Sequence, residues 1–147
     1  MTESQPTGND RPTRVERSLF GLLALGLLGV FAIAIALKPD PRGFGTHQQL
    51  GMPPCTFQSL TGHDCPHCGM TTSFANFVRG DFGAAWNANP VGIPLAVICA
   101  VCIPWWALVA VTGRWFFTKE PLRWLVFGAI GYVSLAVIVW VARVFVF

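Results

Sequence analysis

Three uncharged stretches, each long enough to cross a lipid bilayer as a helix, dominate this sequence. Leu19–Leu37 runs nineteen residues without a charged side chain, Val91–Thr112 twenty-two, and Leu125–Ala142 eighteen, continuing past Arg143 to the terminus. A helix needs about 20 apolar residues to traverse the hydrocarbon core. Backbone polar groups in lipid must also be satisfied within the helix itself. The expected fold class is therefore all-α integral membrane, with three transmembrane helices at about 19–37, 91–112 and 125–146. These belong to a single membrane domain over 18–147, and residues 1–17 read as a disordered, polar cytoplasmic tail. Only 12% of the chain is charged, whereas soluble domains average about 25%.

Lys and Arg positions predict the orientation. Arg11, Arg14 and Arg17 precede the first span, and Arg114, Lys119 and Arg123 fill the connection 113–123. Residues 38–89 hold only Lys38, Arg42 and Arg79, offset by Asp40, Asp64 and Asp81. The expectation is a multi-pass inner (cell) membrane protein with a cytoplasmic amino terminus and an extracytoplasmic 38–89 loop. Trp86, Trp115 and Trp124 fall near span ends, where indoles favour the interface. Ala34-Ile35-Ala36 resembles a signal-cleavage site, but nineteen apolar residues exceed the usual signal core of about 7–15. With or without cleavage, the loop would face an oxidising compartment.

That loop concentrates the reactive side chains. It contains Cys55, the run Cys65-Pro66-His67-Cys68-Gly69, and all three histidines, His47, His63 and His67. Its start, 38–54, is rich in Pro and Gly and should be irregular. Thr71–Arg79 reads as a short helix with Phe74, Phe77 and Val78 on one stripe, ended by a left-handed Gly80. Asp81 should cap a second short helix over Phe82–Ala88, and Asn89-Pro90 should open the next span. Both short helices carry aromatic faces suited to the membrane interface or to packing on the spans. Fifty-two residues with this much loop cannot build a stable core alone, so metal, disulfide or burial against the spans must staple them.

Cys55, Leu60-Thr61-Gly62, Cys65 through Thr71, Gly80-Asp81 and Asn89-Pro90 together resemble a bacterial membrane family, domain of unknown function 2752. The resemblance implies a topology and no established activity. An Arg commonly follows the Gly-Met-Thr of such proteins, whereas this chain has Thr72, so no role of that Arg carries over.

Three chemistries draw on the same cysteines. Cys-Pro-x-Cys-Gly is the sequence of a zinc knuckle, where Gly allows the turn that aims N–H groups at sulfur. Cys55, Cys65 and Cys68 supply three of zinc's four ligands, and His63, His67 or His47 could be the fourth. Cys-Pro-His-Cys is also a thiol–disulfide exchange sequence, with Cys65 as nucleophile and Cys68 as resolver. That reading places Cys65 at the N-cap of a helix running through Phe77. A disulfide from Cys55 to either partner would instead make the loop a stapled scaffold within a membrane complex, worth about 2–3 kcal/mol. Metal binding leads, with zinc as the expected cofactor, and the other two readings stay open.

Cys99 and Cys102 share a face of the second span and are expected to be buried apolar thiols. Pro94 and Pro104 should kink that span. Arg143 should reach the interface, and Asp64 has no paired acid. Nothing resembles a hydrolase site. The expected partners are the lipid bilayer and a membrane protein, helix association being permitted by Gly128 and Gly131. The net charge of +3 is the cytoplasmic bias and gives no hint of nucleic acid.

Overall fold

The computed structural model describes residues 11–116, Thr118 and 120–145. Most of the expected tail (1–10), Lys119 of the 113–123 connection, and residue 146 of the third span lie outside them. Among the described residues the protein is all-helical, with no strand. Its helices are α1 (Arg14–Ala36), α2 (Thr56–Thr61), α3 (Met70–Phe77), α4 (Phe82–Ala88), α5 (Gly92–Thr112) and α6 (Pro121–Phe145). A 3-10 turn at Thr46–Leu50 interrupts the stretch expected to be irregular. Three helices, α1, α5 and α6, are long and apolar enough to cross a membrane.

α1 starts five residues before its apolar run because Thr13 and Glu16 cap each other. The Glu16 N–H donates to Thr13 Oγ1 at 3.2 Å and the Thr13 N–H to Glu16 Oε2 at 2.7 Å, satisfying two otherwise orphaned groups. α1 and α5 form an antiparallel pair. Phe20 and Ala24 meet Trp106 and Val109 at one end, and Ala34 meets Ala96 at the other. Small residues let the backbones approach: a Cβ on Gly21 would sit 3.6 Å from Ala110 Cβ.

Each end of this pair is closed by an arginine, one from the segment after α3 and one from α1 itself. The Arg79 guanidinium donates to the carbonyls of Ala34, Ile35 and Leu37 at 3.1, 2.9 and 2.7 Å, at the end of α1. Arg17 donates to Ala110 and Val111 at 2.9 and 3.1 Å, at the end of α5. A cation there satisfies unpaired carbonyls and complements the helix dipole.

α3 packs onto the spans. Thr72 through Asn76 are buried where α3 meets α1, α4 and α5, while α4 leaves Phe82 and Trp86 exposed. Thr72 is buried against Thr46, Oγ1 to Oγ1 at 2.8 Å. The Asp81 cap is present, its carboxylate accepting the Ala84 N–H at 2.9 Å, and Gly80 is left-handed with φ 77°. α5 begins at Gly92, so Asn89 and Pro90 stand in the turn before it. Pro94 falls in the first turn of α5, where a missing N–H costs nothing, leaving Pro104 as the interior proline.

α6 stands apart from the α1/α5 pair. Among its described side chains only Pro121 and Ala136 are buried, and positions 128 and 131 face open space. At one end Leu125 touches the Phe20/Trp106 cluster. At the other, the loop holds it: Trp140 Nε1 donates to the Asp64 carbonyl at 2.6 Å, and its ring meets Phe57 edge-on at 6.1 Å.

Candidate metal centre

Three local structures bring the loop cysteines together. Cys55 ends an extended Pro53-Pro54 segment and stands at the N-cap of α2. Gly62, with φ 72°, ends α2 and returns the chain. Cys65 through Gly69 then form a tight turn, closed by the Cys68 N–H to the Cys65 carbonyl at 3.0 Å and the Met70 N–H to the His67 carbonyl at 3.1 Å. Inside it the Cys65 N–H donates to Cys68 Sγ at 3.2 Å, the N–H-to-sulfur contact expected of a knuckle. The sulfurs of Cys55, Cys65 and Cys68 all lie within 4.8 Å of one another.

The helix that thiol exchange would require does not form through the motif. α3 begins at Met70, with Gly69 as its N-cap at φ 80°, so Cys65 lies on the turn, away from any helix amino terminus. The backbone here admits only glycine. A Cβ at position 69 would run into the Ala88 carbonyl oxygen and stand 2.7 Å from that of Gly43. The chain can pass here only as a left-handed glycine.

Asn89, nearly fully buried, holds this turn in place. Its Nδ2 donates to the Cys68 carbonyl at 2.9 Å and the Pro66 carbonyl at 3.3 Å, while its Oδ1 accepts the Val91 N–H at 3.1 Å. Its own carbonyl accepts from Ser73 Oγ at 3.2 Å. Gln58 Nε2 donates to Asp64 Oδ1 at 2.9 Å, tying α2 to the residue before Cys65. Sequence reasoning missed Asn89, reading it as the start of a span. A lone amide between Ala88 and Val91 was the available signal. Nothing in the sequence marked Trp140 as the loop's anchor.

The thiols are not equivalent. The Gln58 backbone N–H lowers the Cys55 thiol from its ordinary range. Burial, and then the neighbouring Cys65 thiol, pushes Cys68 up to about 12. All five cysteines are free thiols, so no pair stands at disulfide distance. Cys99 and Cys102 lie on α5, outside the trio.

The histidines are placed differently. His47 and His67 line a cavity of about 230 Å³ together with the three cysteines. His47 Nε2 lies 3.3 Å from the Pro53 carbonyl, and the His67 ring packs edge-on against Tyr132 at 6.2 Å. His63 Nδ1 is 2.9 Å from the Thr61 carbonyl, and its side chain faces a separate cavity beside Trp140 and Arg143. Three thiolates that close can hold a metal ion.

Residues 55–103 match the model of a family described as protein of unknown function, DUF2752. The match supports membership of that family. It covers about a third of the chain and takes in the cysteine trio, α2, α3, α4 and the first half of α5. No curated protein and no solved structure matches the chain.

Proposed function

We propose that this DUF2752 protein is a small inner-membrane protein whose loop is held by a metal ion on Cys55, Cys65 and Cys68, with zinc preferred by ligand type. The observation that carries this is the approach of three sulfurs to within 4.8 Å, drawn from two separate segments, with no disulfide between them. Zinc–sulfur bonds of about 2.3 Å in a tetrahedron put sulfurs about 3.8 Å apart, so the trio needs only a small contraction to close on an ion. The ion would supply what the loop lacks. α2 has no buried residue, and the segment 51–68 touches the rest mainly through Asn89 and Trp140. A bond from each of Cys55, Cys65 and Cys68 would order it, and metal-binding free energy then becomes folding free energy. Following the Lys and Arg distribution, the site faces away from the cytoplasm.

The test is elemental analysis with thiol counting on the full chain, purified in mild detergent under reducing conditions without chelator. About one zinc per chain is expected, with three thiols protected until chelation. Cys55→Ser, Cys65→Ser and Cys68→Ser should each abolish retention, while the double variant Cys99→Ser/Cys102→Ser retains it. Metal-free protein whose reduced loop thiols react freely would overturn the proposal.

A further inference from the structure

We infer that the trio keeps its fourth coordination position open. A zinc ion there would carry water and exchange it for a small neutral donor, an imidazole-type nitrogen. This rests on the metal reading above and goes beyond it. A closed site only builds structure, whereas an open one can take a ligand or pass its metal on.

No histidine nitrogen or carboxylate oxygen of the described residues joins the three sulfurs within 4.8 Å. His63 Nδ1 is 2.9 Å from the Thr61 carbonyl, away from the trio's cavity. His47 and His67 line that cavity, with His47 Nε2 3.3 Å from the Pro53 carbonyl and the His67 ring edge-on to Tyr132 of α6, and neither brings a ring nitrogen into the sulfur cluster. Of Asp64, the nearest acid in sequence, one carboxylate oxygen is taken by Gln58 and the backbone carbonyl by Trp140. His63 and Asp64 moreover line the cavity beside α6, on the far side of the Cys65 turn.

The opposite side of the trio has room. The cavity of about 230 Å³ is walled by His47, His67, Phe44, Gln48 and Thr72 as well as the cysteines. Water occupies about 30 Å³ in the liquid, so this space takes several waters or one five-membered ring. Charge narrows the ligand class. Three thiolates around a dication leave one net negative charge, which disfavours a fourth anion and favours water or a neutral nitrogen. Exchange there breaks one metal–oxygen bond and forms one metal–nitrogen bond, with no change of oxidation state.

Cobalt(II) replaces zinc in such sites and reports its ligands optically. The full chain in detergent, reduced and loaded with cobalt(II), would be titrated with imidazole. Thiolate-to-cobalt charge transfer and the d–d bands would be recorded in each scan. The expected result is a saturable shift of the d–d bands with charge transfer retained, seen also in the His47→Ala and His67→Ala variants. No shift with imidazole, together with a d–d change in any one histidine variant, would mean that histidine closes the site. That outcome overturns the open position and leaves the metal reading standing. Absence of any thiolate-to-cobalt band overturns both.

Discussion

Asn89→Ala should loosen the metal site without touching a ligand. The side chain makes two hydrogen bonds to carbonyls of the Cys65–Gly69 turn, at 2.9 and 3.3 Å, and one to the Val91 N–H at 3.1 Å. A net hydrogen bond is worth about 0.5–1.5 kcal/mol, and the longer of the two carbonyl contacts counts least. Truncation therefore removes roughly 2–3 kcal/mol from the ordered turn. In the variant the metal must itself impose the turn that Asn89 formerly held, so this amount is drawn from the binding free energy. At about 1.4 kcal/mol per decade the affinity should fall by about 30- to 140-fold. That matches the 10- to 100-fold cost usual for groups that orient metal ligands. The assay is competition against a chromophoric chelator on detergent-purified protein, with helix content checked by circular dichroism. Asn89→Asp keeps an acceptor for Val91 but loses both donors, and should fall close to the alanine variant. Unchanged helicity with zinc affinity within threefold of the parent would refute the reasoning, because the turn would then be ordered without Asn89.

Arg79→Ala should lower stability by about 1–2 kcal/mol, since it strips a charged donor from three α1 carbonyls. Thermal unfolding in detergent reads this, and Arg79→Lys should recover only part of the loss. Gly69→Ala should cost at least the 1–2 kcal/mol of a left-handed L-residue, plus the clash with Ala88; a protein as stable and as zinc-competent as the parent would contradict the backbone account. Zinc affinity should rise with pH by at least about tenfold per unit near neutrality, because Cys68, held at about 12, must give up its proton to bind. In the metal-free protein the sign reverses: stability linked to Cys68 is present below the ordinary thiol value of 9.0 and is lost as pH rises toward about 12. Leu60→Cys, on an exposed loop position, should react with a membrane-impermeant maleimide in intact spheroplasts, and Arg114→Cys only after lysis. The opposite pattern would reverse the proposed orientation.

The amino-acid order by itself determined the three long helices, because run length and lack of charge are local properties that lipid acts on directly. It also marked the Asp81 cap, the turn at Gly80 and the cysteines that matter, since caps, turns and ligand types are written in short segments. Only the tertiary structure decided how those parts are used. Gly69 takes a left-handed bend with no room for a Cβ beside the Ala88 and Gly43 carbonyls, and that bend keeps the Cys65–Gly69 turn out of α3. Cys55 joins Cys65 and Cys68 because α2 and Gly62 fold it back, an approach that spacing alone leaves open. His63, equally eligible in the sequence, faces the other side of the turn. Asn89, Trp140 and Tyr132 act on the loop from sites 20 or more residues away in sequence. Such contacts depend on which faces of packed helices meet, and no local pattern in the chain encodes that.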